Sequence, residues 1–451
     1  MRALALAMAT VLTAGGANMP VAVAVVPPTI DQTAVPADGP PSPDQPMRQT
    51  NRCATAIATA QPDVRQTAAG FDMLHVRDAW RYSTGAGVSV AVIDTGVTPG
   101  PRLTAVGGGD YITGGDGLSD CDVHGTIVAS VIAAKPSDAD GLAGVAPDAS
   151  IVSIRQSSRA FGPSRFGSGD NEASMKAGTI ATLARAIVHA ANLGAKVINV
   201  SVTACVSAAE ALDQRAIGAA VWYAATVKDA LIVAAAGNEG EEGCEQNNAS
   251  GPLNPDDPRG WANVRTVSSP SWFSDYVLSV GAVTPTGAPI DKSLVGPWLG
   301  VAAPATGVIG LSPTDAVNAY PPARPGDRPI PFWGTSFAAA YVSGAAALVR
   351  AKYPHLSAHQ VANRIIRTAH NPARGVDNQI GHGVIDPVAA LTFDIPPGAR
   401  IPPGPQSRPL TPAAAPPPPD RRARNAALVI AVIVGIGAVM APLLSMARRA
   451  R

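Results

Sequence analysis

Five short runs of apolar and β-branched residues recur along the middle of the chain, and stretches with helical patterning separate several of them. The runs cover residues 88–93, 151–154, 196–202, 231–235 and 277–283. The helical stretches cover residues 126–134, 178–192, 208–227 and 336–352. Strands that are apolar along their whole length are buried on both faces, as in parallel sheets covered by helices. The alternation therefore predicts a doubly wound α/β domain whose functional site lies at the carboxyl ends of the strands.

The overall charge of the chain is close to zero. Among 451 residues, 34 basic side chains stand against 33 acidic ones, which gives a formal net charge of +1. A chain without bulk positive charge is a poor candidate for binding DNA or RNA, so we expect no nucleic-acid partner. The apolar share of 46% excludes a disordered chain, while 44 glycines and 43 prolines indicate many turns and linkers.

Residues 1–24 have the three parts of a secretory signal peptide. Arg2 supplies the positive charge, an apolar run follows, and residues 22–24 form an A-x-A cleavage site. We predict cleavage after Ala24. The alternative is a permanent N-terminal anchor, but the apolar run is short for a membrane span and glycines interrupt it.

The C-terminal part of the chain predicts a membrane anchor. Residues 426–446 carry no charge over 21 positions, which at about 1.5 Å per residue is enough to cross a hydrocarbon layer of roughly 30 Å. Arginines flank this transmembrane helix on both sides, so the signal peptide decides its orientation: the body is exported, and residues 447–451 stay in the cytoplasm. The proline-dense segment 395–420 predicts an extended spacer that holds the body off the membrane. We therefore expect a single-pass membrane protein with an exported body.

Residues 25–70 are rich in proline at first and only weakly periodic, which predicts an extension lying on the body and retained in the mature protein. An inhibitory propeptide is the alternative. The chain has four cysteines, Cys53, Cys121, Cys205 and Cys244, all in the exported part. An even number in an oxidising compartment favours two disulfides, for which three pairings are possible. The positions of Cys205 and Cys244 after neighbouring strands favour pairing these two, which leaves Cys53 to pair with Cys121.

Four short motifs follow predicted strands or open predicted helices. Asp94 ends the first strand, and His124 stands immediately before the first helix. Asn238 follows the strand 231–235, and Ser336 opens a helix rich in small residues. Taken singly, each has an ordinary structural explanation, such as a turn residue or a helix cap. Their joint occurrence in one α/β domain indicates chemistry.

The four residues supply the functions that nucleophilic catalysis by a serine requires. Ser336 needs a base to take its proton, and His124 needs a carboxylate such as Asp94 to fix its tautomer and stabilise the imidazolium. The tetrahedral intermediate needs hydrogen-bond donors, which the Asn238 amide and the Ser336 backbone N–H can provide. The order Asp, His, Ser along the chain is that of subtilisin.

The segments Asp94-Thr95-Gly96, His124-Gly125-Thr126, 236–238 and 334–336 resemble the signature blocks of the subtilisin-like serine proteases. The resemblance covers roughly residues 70–392, and we assign 71–394 to a subtilisin-like protease domain. It implies a serine endopeptidase with a doubly wound parallel sheet and helices on both faces. The family pattern usually has Met after the nucleophile, where this chain has Phe337; that position packs rather than reacts.

The flanking segments narrow the resemblance. A signal peptide, an N-terminal extension, a subtilisin-like body, a Pro-rich spacer and a single C-terminal span together are similar to the mycosins, the membrane-anchored proteases of mycobacterial type VII secretion systems. This resemblance implies protein or peptide substrates that are secreted, and components of the secretion membrane complex as partners. It also implies a location in the cell (inner) membrane, with the protease domain on the periplasmic side. It leaves a second hypothesis open, in which the chain is mainly a structural subunit of that complex. An esterase is disfavoured because no G-x-S-x-G elbow surrounds Ser336.

The resemblance also implies where a substrate lies. The candidate residues are Ser201, Val202 and Thr203 as a strand that pairs with the substrate, and Ala235, Ala236 and Gly237 as part of the pocket for the side chain before the scissile bond. Residues 156–175 and 239–271 are expected to be inserted surface loops beside the cleft, as gates, partner contacts or tolerated insertions. We expect no cofactor. We also expect no metal, because neither the Asp-rich stretch before His124 nor the pair His355 and His359 has the spacing of a metal site, although a calcium site like those of the family is left open.

Overall fold

The computed structural model describes residues 25–164, 172–210, 212–241, 243–249, 254, 256–322, 324 and 326–402. They belong to a compact unit that ends at Gly404. The predicted signal peptide 1–24, transmembrane helix 426–446 and tail 447–451 lie outside the described residues, as does most of the spacer 395–420. Within the described ranges, no helix combines the length and the apolar character needed to cross a membrane.

The described part of the chain alternates strands and helices as predicted. Its strands are β1 (Met47–Gln49), β2 (Ser89–Asp94), β3 (Ala105–Asp110), β4 (Ser150–Arg155), β5 (Phe161–Pro163), β6 (Val197–Val200), β7 (Ala204–Ser207), β8 (Leu231–Ala235), β9 (Thr266–Ser269), β10 (Val277–Val283), β11 (Leu299–Pro304), β12 (Gly310–Ser312), β13 (Asp315–Val317), β14 (Ala319–Tyr320) and β15 (Ile330–Pro331). Its α-helices are α1 (Ala69–Met73), α2 (Val76–Ala79), α3 (His124–Ala133), α4 (Glu172–Asn192), α5 (Arg215–Trp222), α6 (Thr335–Lys352), α7 (Ala358–Thr368) and α8 (Pro387–Thr392).

A seven-stranded sheet in the order β11-β10-β8-β6-β2-β4-β3 forms the centre, and every neighbouring pair in it is parallel. All five predicted apolar runs are strands of this sheet, which confirms the predicted α/β class. The two outer strands, β3 and β11, were not predicted. Glycine interrupts both of them, at 107–109 in β3 and at Gly300 in β11, and glycine weakens the strand pattern in a sequence.

The two faces of the sheet contact different helices, because alternate residues of a strand point to opposite sides. In β2, Val90 and Val92 pack in the same core as α3 and α6. Ala91 and Ile93 pack in the core that contains α4 and α5. All four side chains are fully buried, and burying one Val or Ile contributes about 1.5–3 kcal/mol. Asp94 follows this alternation, so it lies on the α3 and α6 side.

Two predictions for the region around the sheet are wrong. The helix expected at 208–227 begins only at Arg215 and ends in a π-helical turn, Tyr223–Val227. The chain before it forms β7, which pairs antiparallel with β9. Every residue of β9 is buried, so the expected surface loop 239–271 enters the interior at this point.

The N-terminal extension contacts the body along the described part of its length. Strand β1 of the extension pairs antiparallel with β5, which lies inside the expected loop 156–175. Further on, the Ile57 N–H donates to the Ala319 carbonyl at 2.9 Å, and the Thr59 N–H donates to Asn318 Oδ1 at 2.8 Å. The extension is therefore bound to the body through both backbone and side-chain hydrogen bonds, as an integral part of this unit.

Two disulfides are formed, and both are the predicted pairs. Cys53 of the extension is bonded to Cys121, 68 positions later, and Cys205 is bonded to Cys244, 39 positions later. Cys205 and Cys244 are almost completely buried and pack with Leu294. The first bridge ties the extension to the chain just before α3, and the second ties β7 to the chain after β8.

Candidate active site

Asp94 is the last residue of β2 and only 1% of its surface is exposed. Its Oδ1 atom accepts a hydrogen bond from the Thr95 backbone N–H at 2.7 Å and lies 2.7 Å from His124 Nδ1. Burial excludes water from the carboxylate, so these two donors are its hydrogen-bond partners among the described residues. With the Nδ1 proton donated to Asp94, Nε2 of His124 is the atom left to accept a proton.

His124 is the first residue of α3, and its position depends on the turn that precedes it. Val123 has a left-handed backbone, with φ 66°, which ends the loop and starts the helix. Gly125 has no room for a side chain, because a Cβ there would lie 2.1 Å from the Gly96 carbonyl oxygen and 3.0 Å from Asp94 Oδ1. The loop after β2 and the start of α3 are therefore in direct backbone contact, which brings the imidazole to the carboxylate.

Ser336 lies in the first turn of α6, preceded by Gly334 with φ 145°, a conformation that glycine adopts far more readily than other residues. Its neighbour Phe337 is buried, and the Phe337 ring lies 5.3 Å from the His124 ring between centroids. Phe337 therefore packs against the imidazole. Ser336 Oγ makes no hydrogen bond with any described residue, including His124.

Asn238 follows the end of β8 and is bonded to the turn before Ser336. Its Oδ1 atom accepts from the Thr335 backbone N–H at 3.0 Å and from Thr335 Oγ1 at 3.2 Å. Thr335 Oγ1 in turn accepts from the Gly237 N–H at 3.1 Å. Thr335 therefore fixes the amide of Asn238 relative to the helix that carries Ser336.

A second carboxylate, Asp120, connects the two segments that carry Asp94 and His124. It accepts hydrogen bonds from Thr95 Oγ1 at 2.9 Å, from the Thr126 N–H at 2.8 Å and from Thr126 Oγ1 at 2.7 Å. Burial raises the pKa of Asp120 to about 6, although the donors from Thr126 and Thr95 lower it.

The electrostatics of His124 favour its protonated form. Burial opposes protonation, but the charge of Asp94, its hydrogen bond to Nδ1 and the charge of Asp120 together raise the pKa of His124 above 6.5. An imidazole held in this way is a base that stabilises the proton it receives.

Asp94, His124, Asn238 and Ser336 all line one cleft of about 840 Å³. Ser201, Val202 and Thr203 also line it; they lie between β6 and β7 rather than in a strand of the sheet. Ala235, Ala236 and Gly237 are buried and are not among the lining residues. The prediction that they line the pocket is wrong, because their backbone is bonded to the interior. The Ala235 carbonyl accepts from Ser271 Oγ, and the Ala236 N–H donates to the Val280 carbonyl.

Several residues of the cleft were not predicted from the sequence. The extension contributes to its lining through Asp44, Met47, Asn51, Arg52 and Ala54, among others. The expected inserted loops contribute Arg159 and Glu241. For the two loops, the signal was their place beside the cleft in the predicted order of elements. For the extension, it was the prediction that this segment lies on the body. Within the described ranges, no group of His, Cys, Asp or Glu side chains is arranged to hold a metal ion.

Comparison with known proteins agrees with this geometry. The model of the subtilase family, peptidase S8, matches residues 85–383, and the chain therefore belongs to the subtilase family of serine proteases. Its relatives within that family include mycosins. It is 52% identical to Mycosin-2 of Mycobacterium tuberculosis, with 100% of this chain and 98% of the relative covered.

Solved structures give the same assignment. The crystal structure of MycP1 from Mycobacterium smegmatis is 47% identical, covers 84% of this chain and 98% of its own, and superposes with a TM-score of 0.81. A chain of the periplasmic assembly of the ESX-5 inner membrane complex is 52% identical and has a TM-score of 0.79. That match covers 88% of this chain and 100% of the chain in the assembly.

Proposed function

We propose that the chain is a membrane-anchored endopeptidase that cleaves secreted proteins through Asp94, His124 and Ser336. The observation that carries the proposal is the convergence of these three residues and Asn238 on one cleft, from four separate segments. The carboxylate, the imidazole and the hydroxyl are the groups that acyl transfer by a serine needs, and the match to a serine protease family supports the same chemistry.

The first chemical step follows from the positions of the protons. Nε2 of His124 takes the proton of Ser336 as Oγ attacks the scissile carbonyl carbon, and Asp94 stabilises the imidazolium that forms. Oγ and Nε2 are not hydrogen-bonded here, so substrate binding aligns them, as catalytic hydrogen bonds often tighten only in the complex. The oxyanion accepts from Asn238 Nδ2 and from the Ser336 N–H near the positive end of α6.

The remaining steps restore the enzyme. The imidazolium gives its proton to the leaving amine, the C–N bond breaks, and an acyl-enzyme remains on Ser336. Water then loses a proton to His124 and attacks the ester, which releases the acid and returns the proton to Oγ. In this proposal the segment Ser201 to Thr203 pairs with the extended substrate, and the chain from Ala235 to Gly237 supports the pocket beneath it.

We also propose that the body lies on the periplasmic side of the inner membrane, anchored by residues 426–446, and associates with components of a type VII secretion complex. The support is the similarity to a chain of the ESX-5 periplasmic assembly. The same similarity favours a second function, in which the chain stabilises that complex and proteolysis is secondary. A Ser336→Ala chain that still supports secretion would identify the structural function.

The test is labelling of the full-length protein with a serine-directed phosphonate. We expect the wild type to be labelled at Ser336, and the Ser336→Ala and His124→Ala variants not to be labelled. Absence of labelling in a folded wild type contradicts the proposed catalytic role. N-terminal sequencing of the mature protein tests the retained extension; a start near residue 25 is expected and a start near residue 70 contradicts it.

A further inference from the structure

The amide of Asn238 is held by more than the helix that carries Ser336. Its Oδ1 atom takes two hydrogen bonds from Thr335, and its Nδ2 atom donates to Glu241 Oε2 at 3.2 Å. An amide nitrogen has two hydrogens, so one is committed to Glu241 and the other is available. Because Gly334 has no side chain, the space beside Nδ2, next to Ser336, stays open.

Glu241 itself is held in a tight turn. Its backbone N–H donates to the Asn238 carbonyl at 3.2 Å, and its carbonyl accepts from the Cys244 N–H at 2.8 Å. Cys244 is fixed by its disulfide to Cys205. The backbone of Glu241 is therefore hydrogen-bonded to Asn238 on one side and to the disulfide-bonded Cys244 on the other, which holds the carboxylate near the Asn238 amide.

A bare carboxylate beside a developing oxyanion opposes the reaction, and the structure places a cation against it. Arg159 Nη2 lies 3.5 Å from Glu241 Oε2. The backbone of Arg159 is fixed in turn: its N–H donates to Asp122 Oδ1 at 2.8 Å, and its carbonyl accepts from Asn51 Nδ2 of the extension at 2.9 Å. The Arg159 side chain is 76% exposed and that of Glu241 43%, so the pair lies at the surface of the cleft, is screened by salt and is weak.

We propose that Glu241 is a positioning residue that turns the second N–H of Asn238 toward the oxyanion, and that Arg159 compensates its charge. The inference rests on the proposed function and adds to it a contact between the two loops on either side of the cleft. The expected loops 156–175 and 239–271 meet here through this ion pair.

The kinetic test compares Glu241→Ala with Glu241→Gln in the full-length protein, using a short peptide substrate and the phosphonate. We expect Glu241→Ala to lower kcat and the labelling rate on the order of 10-fold at unchanged KM, less than the 10²–10³ lost with a whole oxyanion donor. Glu241→Gln retains most of the rate, because its Oε1 still accepts from Asn238. Glu245→Ala removes a nearby exposed carboxylate outside the cleft lining and leaves the rate unchanged.

Two further variants separate positioning from a general structural role. In an Asn238→Ala background, Glu241→Ala has no additional effect on kcat. Arg159→Ala lowers kcat at low ionic strength, because the charge of Glu241 is then uncompensated. Adding Glu241→Gln to the Arg159→Ala variant removes that charge and restores the rate. An unchanged kcat in Glu241→Ala overturns the proposal, and so does a faster rate in both Glu241 variants, which would mean that the carboxylate blocks the amide.

A crystal structure of the Glu241→Ala variant tests the positioning of Asn238 without any measurement of activity. We expect the Asn238 side chain to rotate away from its present position while Thr335 stays in place. An unmoved amide overturns the proposal whether or not the protein is an active protease, whereas failure of the wild type to label at Ser336 bears on the proposed function alone.

Discussion

Replacing Thr335 measures how much its side-chain hydroxyl contributes to the stability of the fold and to the rate of the reaction. Its hydroxyl accepts from the Gly237 N–H and donates to Asn238 Oδ1, and the residue is fully buried. Thr335→Val keeps the shape and removes both hydrogen bonds. Thr335→Ser keeps both and removes one methyl group, so the two variants form a matched pair.

The magnitudes follow from these contacts. Leaving the buried Gly237 N–H unpaired costs about 1–3 kcal/mol, and the lost bond to Asn238 costs about 1 kcal/mol. We therefore expect Thr335→Val to lower the free energy of unfolding by about 2–4 kcal/mol. Thr335→Ser loses about 1 kcal/mol for one buried methyl. Thr335→Val removes one of the two hydrogen bonds at Asn238 Oδ1 and keeps the one from the backbone N–H. Because the amide is then held less firmly, kcat should fall on the order of 10-fold, a part of what loss of the donor costs.

The assay is urea unfolding of the full-length variants followed by tryptophan fluorescence, together with kcat on a peptide substrate. The free energy of unfolding should fall with urea concentration at the same slope in each variant, so that a shift in the unfolding midpoint reports a change in stability. Equal stability of the Val and Ser variants would refute the reasoning, since it would mean that the hydroxyl contributes nothing to holding Gly237 and Asn238.

Four further predictions test the site and its support. Asp94→Asn should lower kcat by about 10⁴ while circular dichroism stays unchanged, because an amide facing Nδ1 favours the wrong tautomer of His124; a loss below about 100-fold contradicts this. The pH profile of kcat/KM should rise through a midpoint above 6.5, since His124 must be neutral to accept a proton and its pKa is raised. Asp120→Asn removes a charge that raises this pKa, so its midpoint should lie lower; an unmoved midpoint argues against the coupling. Replacing Cys205 and Cys244 by Ala removes a cross-link between residues 39 positions apart. By the chain-entropy relation, the free energy of unfolding should fall by about 4 kcal/mol. Urea unfolding of the wild type and the variant measures this difference, and equal stability contradicts it.

The fold and the central residues were accessible from the sequence because their signals are local. Asp94 ends an apolar strand, Asn238 lies just after another, and His124 and Ser336 lie in the first turns of helices. Parallel topology then brings strand ends and helix starts to the same edge of a sheet. The disulfide pairs were predictable for a similar reason, since Cys205 and Cys244 follow neighbouring strands.

The rest depended on contacts between distant segments that no local pattern encodes. Strand β1 of the extension pairs with β5, more than a hundred positions away, and neither segment has a strong strand pattern. Strand β3 was not predicted because its three glycines interrupt the apolar pattern typical of a strand. Glu241 and Arg159 lie in irregular segments, so only the folded chain shows that they meet at Asn238.

The bridge between Cys53 and Cys121 makes the intervening chain a covalent ring, and Asp94 lies within that ring. A protease that cuts once between these cysteines opens the ring, adds the mass of one water and leaves both pieces attached to each other. Such a molecule migrates as a single band until a reductant is added. A cut before Cys53, by contrast, releases a free peptide. For a cut that falls before Cys121, comparing reducing with non-reducing electrophoresis therefore shows on which side of Cys53 the chain was cut.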